Sequence, residues 1–155
     1  MAMKKLSVDL EELAMALSSG EGGDHSWYLD TFTGKVFVFP NEILDAVEEG
    51  QVGSAWEPEE VAVAEAILSS DPRYLGLWGE DWNGYQIMVD FIKTVDDASV
   101  ANRLSDAIRG KGAFRRFKDI IGGSGAWLQR WYDFKSQREA QMARQWLLEQ
   151  GIEAV

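Results

Sequence analysis

The 155-residue sequence predicts an α+β fold on three observations: repeated apolar residues at helical spacing, one pair of β-rich runs meeting at Thr33-Gly34, and a helical, basic C-terminal part. The expected architecture is a small antiparallel sheet, one hairpin with a third strand offered downstream, packed with about six to seven helices. The length suits a single domain over 1–155, with room for two lobes: 1–95, acidic and hairpin-containing, and 96–155, basic and helical.

Leu6, Leu10, Leu13 and Leu17 form one helical stripe that stops at Ser18-Ser19-Gly20, which predicts an N-terminal helix. Trp27 to Phe39 reads as a β-hairpin in which Gly34 supplies the positive φ of the turn, and Asp30 reads as a turn residue whose carboxylate bonds nearby backbone. Pro40 opens a short helix carrying Ile43, Leu44 and Val47, closed by Gly50. A second acidic helix starts at Pro58 and ends by Asp71-Pro72, because the residue before proline is pushed out of the helical region. Arg73 to Trp78 then offers the third strand, weakened by Gly76.

Tyr85, Met88, Val89, Ile92 and Val95 carry a helix from Asp81, and Val100, Leu104, Ala107 and Ile108 carry another over Ser99 to Arg109. Gly110 and Gly112 bracket Lys111 as a sharp break. The next helix is expected to turn Phe114, Phe117, Ile120 and Ile121 inward and Arg115 and Asp119 outward as an i, i+4 pair, ending at Gly122-Gly123-Ser124-Gly125. In the last segment Trp127, Trp131 and Phe134 share one face, while Ala140, Ala143 and Leu147 lie nearly opposite. The helix therefore either breaks near Ser136 or is long and packs each end against a different neighbour. Gly151 caps it, and Ile152 to Val155 reads as a short strand.

With 46 % apolar residues and seven tryptophans the chain has ample material for a core. No apolar run approaches the ~20 residues of a membrane span, and the start turns acidic before a signal-peptide core forms, so a cytoplasmic location and no membrane partner are expected. The absence of cysteine excludes disulfides, thiolate metal sites and a cysteine nucleophile. Residues 1–100 hold five basic residues against twenty acidic ones, and 101–155 hold ten against six, within a net charge of −11. Such asymmetry can steer partners of either sign, or simply keep the protein solvated.

The segment RLSDAIRGKGAFRRFKDII (Arg103 to Ile121) resembles the signature of an uncharacterised bacterial protein family, number 0158 of the UPF series. WYLDTFTG (Trp27 to Gly34), Met88-x-x-Phe91-Ile92, Trp131-x-x-Phe134 and Trp146-Leu147 with Gly151-Ile152 are similar to further parts of that family, so the resemblance spans most of Trp27 to Ile152. Residues 47–80 and 122–125 match less well. The resemblance implies no activity and no catalytic residue.

The basic junction of Arg109, Lys111, Arg115, Arg116 and Lys118, with Arg103 nearby, is the candidate anion or nucleic-acid site, because a helix N-terminus after glycines can receive phosphate. It lacks the Walker spacing, since Lys111 is followed by Gly112. The alternative is a helix corner with solvated arginines. Trp78, Asp81, Trp82 and Tyr85 form a candidate pocket lining, against the alternative that they are core, with Asp81 capping a helix. His25, the only histidine, lies in a Gly-rich stretch without a nucleophile beside it and reads as a solvated loop residue. No metal-ligand spacing or cofactor loop is legible.

These features point to a non-enzymatic binding or adaptor domain acting through its charge-separated surface on a protein or nucleic acid. The alternative is a small-ligand binder or enzyme with a cleft between the two lobes, using Asp30 or Asp81 and an anion held at Lys111.

Overall fold

The structure, a computed structural model, describes residues 3–18, 23–77, 84–123 and 125–155. The chain forms two compact units, Met1–Glu80 with Met142–Val155, and Asp81–Gln141. Among the described residues the fold is α+β, with seven helices and two small sheets. No helix among them is long and apolar enough to cross a membrane.

In the first unit the hairpin forms from β2 (His25–Asp30) and β3 (Val36–Pro40), with Tyr28 opposite Phe37 and Gly34 at φ +81 in the turn. β4 (Tyr74–Leu77) is the expected third strand and adds to β2, giving the antiparallel order β3-β2-β4. Its Gly76 sits opposite Tyr28 on an edge strand, where a missing side chain is tolerated. Successive residues of a strand face opposite sides, and both Tyr28 and Leu29 are buried, so helices must cover both faces. The Tyr28 side packs with Phe39 of β3, Ile43 of α2 (Asn41–Glu48) and Ala64 of α3 (Pro58–Leu68). α1 (Leu10–Ser18) packs against β3 and β4.

The leucine stripe at the N-terminus splits, which corrects the expected helix. The Asp9 carboxylate accepts the N–H groups of Glu11 and Glu12 at 3.0 and 3.1 Å, an N-cap that starts the helix at Leu10. Leu6 is therefore left outside it, in β1 (Lys4–Leu6), which pairs in parallel with β5 (Ile152–Ala154). Pro40 ends β3 and, as the N-cap of α2, opens that helix as expected. Pro58 does stand at the first turn of α3, where Glu57 and Glu60 form a reciprocal capping box. That helix already stops at Leu68, before the residues ahead of Pro72.

The second unit holds α4 (Gly84–Lys93), α5 (Ala98–Ala107), α6 (Ala113–Gly122) and the first part of α7 (Gly125–Glu149). Its centre is aromatic: Phe91 lies 6.1 Å from Phe117, 5.3 Å from Trp131 and 5.5 Å from Phe134, all edge to face, and Phe117 lies 4.7 Å from Trp131. α7 is one continuous helix of 25 residues. Its two opposed apolar stripes are explained by the two units: Trp131 is buried in one, Ala143 and Leu147 in the other. On α6 the inward row is Ala113, Phe117 and Ile121, spaced by four. Phe114, expected inward, is instead 51 % exposed, because that row leaves it off the buried face.

Candidate functional site

The turn from α5 to α6 contains Gly110 at φ +74 and Gly112 at φ +78, positions that side chains rarely adopt. This turn leaves the last carbonyl of α5, and carbonyls of the turn itself, without helical partners. The Arg116 guanidinium folds back to satisfy them: Nε donates to the Ala107 oxygen at 2.8 Å, Nη2 to the Arg109 oxygen and Nη1 to the Lys111 oxygen, both at 2.5 Å. A Cβ on Gly112 would come 3.0 Å from Arg116 Nη1, so that glycine also provides close approach. Arg116 is thus the residue that builds the corner.

The other four candidates face water. Arg109 lies 3.8 Å from Asp106 in an exposed pair. Lys111, Arg115 and Lys118 are exposed and have no side-chain hydrogen bond or ion pair among the described residues. The i, i+4 pair of Arg115 with Asp119 does not form, in keeping with the weaker orientation that places the cation N-terminal. Phe114 and Lys118, four residues apart, lie one above the other, with Arg115 beside them. The exposed half of the Phe114 ring, whose edge lies against Gly84, stands amid unpaired cations, an arrangement able to stack a base and neutralise phosphate.

Of the candidate pocket lining, Trp78, Asp81 and Trp82 lie outside the described residues, and Tyr85 is 43 % exposed in the first turn of α4. His25 is solvated but stands in β2, not in a loop. It borders an open concavity of about 1090 Å³ together with Asp24, Glu42, Asp45, Glu49 and Trp56. The sequence signal for this concavity is the 42, 45, 49 spacing, which puts three carboxylates on one face of α2. The described residues contain no group of three or more side chains that could hold a metal ion.

Asp30 holds the hairpin turn. Its Oδ1 accepts the Phe32 N–H at 2.9 Å and Arg73 Nε at 3.0 Å, while Oδ2 accepts Arg73 Nη2 at 2.9 Å. The Arg73 guanidinium, ahead of the Phe32 N–H, holds the Asp30 carboxyl below its ordinary value despite partial burial. In the second unit Asp90 accepts from Arg138 at 2.6 Å, tying α4 to α7, and its carboxyl is likewise lowered, first by Arg138 and then by Gln86.

Two outcomes are expected. Arg116→Ala should lower the unfolding free energy by about 2 kcal/mol, because three carbonyls lose a charged donor, whereas Arg115→Ala should stay within about 0.5 kcal/mol of the parent in urea denaturation. Because the folded Asp30 pKa is depressed, its contribution is complete above the unfolded value of about 3.9 and is lost as pH falls through the folded value. Denaturation midpoints followed into acid should therefore fall more steeply for the parent than for Asp30→Ala below about pH 4.

A model of the family described as "Uncharacterised protein family (UPF0158)" matches residues 77–155, a span that includes the Arg116 corner. A curated UPF0158 protein of Pseudomonas aeruginosa is 30 % identical over 97 % of this chain and 88 % of its own length. No solved structure matches. The family model covers half of the chain and the relative nearly all of it, so the protein belongs to the uncharacterised protein family UPF0158.

Proposed function

We propose that the protein is a binding domain that contacts nucleic acid through the outer face of α6. The observation that carries this reading is the exposed Phe114 ring beside Lys111, Arg115 and Lys118, none of which has an acidic partner among the described residues. Charge segregation supports it: residues 81–141 hold ten basic and eight acidic side chains, whereas the rest of the chain holds five and eighteen. The corner built by Arg116 fixes where α6 begins and so which side chains point outward.

Binding of labelled single-stranded DNA at low salt is the test. The triple change Lys111→Glu, Arg115→Glu, Lys118→Glu should weaken binding by about tenfold or more and flatten the log K against log salt slope by about 2. No binding by the parent even at low salt would remove the proposal.

A second reading, a small-ligand site, is favoured by the concavity at α2, whose four carboxylates and Trp56 suit a compact organic cation. Calorimetry with spermidine should then show binding that Trp56→Ala and Asp45→Asn each reduce; unchanged heats would reject it.

A further inference from the structure

Phe32, in the turn between β2 and β3, is 68 % exposed. Asp30 accepts the Phe32 N–H, Gly34 donates to the Asp30 carbonyl at 2.8 Å, and Thr33 Oγ1 accepts the Lys35 N–H at 3.2 Å. From below, the Gly34 backbone presses on β1 and the residue after it: a Cβ there would overlap the Ser7 carbonyl oxygen and lie 3.2 Å from Leu6 Cγ. These restraints order the backbone on either side of the exposed ring.

The charges around the ring are equally selective. Residues 1–80 contain four basic side chains, Lys4, Lys5, Lys35 and Arg73, against sixteen acidic ones. Three of them, Lys4, Lys35 and Arg73, belong to this tip. Lys4 Nζ lies over the Phe32 ring at 5.3 Å from its centroid and Arg73 Cζ at 4.6 Å; Lys35 belongs to the same turn, while Lys5 alternates to the other face of β1, in register with Glu153. Asp30 pairs with Arg73, and Asp71 accepts the Arg73 backbone N–H at 2.9 Å, so the uncompensated charge is that of the lysines. None of the three lysines has an acidic partner among the described residues.

We infer that the hairpin tip is a single-stranded nucleic-acid contact in which one base stacks on the exposed part of Phe32 and the neighbouring phosphates lie against Lys4 and Lys35. An exposed ring with Lys4 and Arg73 over it and Lys35 in the same turn uses both features when the ligand carries a π face and closely spaced anions. An acidic peptide would engage the lysines but not the ring. An anionic lipid surface would take the ring and leave the cations at the headgroups, and vesicle binding separates that case. This contact lies in the first unit and does not require the α6 surface.

The test uses the full chain carrying the α6 triple charge reversal, so that the two contacts are read separately. Fluorescence anisotropy with labelled oligodeoxythymidylate should show residual binding that Phe32→Leu weakens about tenfold, that Phe32→Tyr preserves, and that Lys4→Glu with Lys35→Glu abolishes. Unchanged thermal melts establish that Phe32→Leu is folded, as expected for an exposed side chain. Equal binding by Phe32→Leu, no residual binding at all, or Phe32-dependent binding to phosphatidylserine vesicles or polyglutamate in place of the oligonucleotide would each overturn the inference. Loss on the hairpin changes with no effect of the α6 changes would uphold it while rejecting the α6 contact.

Discussion

A single guanidinium determines how the second unit is put together. Helix α5 ends where the chain must reverse, two glycines in left-handed conformation make the reversal, and the carbonyls this exposes converge on Arg116. The side chain that satisfies them belongs to the helix that follows, so the geometry of the turn and the start of α6 are fixed by one group. From there the inward row Ala113, Phe117 and Ile121 is set, and Phe117 meets Phe91 and Trp131. What remains on the outside is cationic and aromatic as a consequence of that register.

The first unit uses an arginine in a related way. Arg73, at the start of β4, bridges to Asp30 at the end of β2, and the same carboxylate orders the hairpin turn through Phe32. Both arginines therefore act on backbone geometry, one directly and one through a carboxylate. The cations left for outside contact are mainly lysines and Arg115, whose loss leaves no buried group unsatisfied.

Periodicity made most of this fold legible. The hairpin, the turn glycine Gly34, the strand at Tyr74–Leu77 and the helices after residue 81 carry local signals that survive in the tertiary structure. Leu6 was misplaced because four leucines at helical spacing outweigh the short Asp9 cap that cuts the stripe. Phe114 was turned inward because aromatics on an amphipathic helix usually point to the core, and the smaller Ala113 took that position. The reach of Arg116 back over three carbonyls, and the pairing of the short run at Lys4–Leu6 with Ile152–Ala154, depend on contacts between distant atoms that no local pattern encodes. The concavity at α2 left only a faint trace in carboxylate spacing.

The parallel pair of β1 and β5 joins residues from opposite ends of the sequence, Lys4 beside Ile152. Closing so wide a loop is entropically unfavourable until the intervening helices and hairpin have shortened the path, so this seam is expected to form late and open early. Lys4 travels with it. The Lys4 ammonium is then held over the Phe32 ring only while that seam is closed.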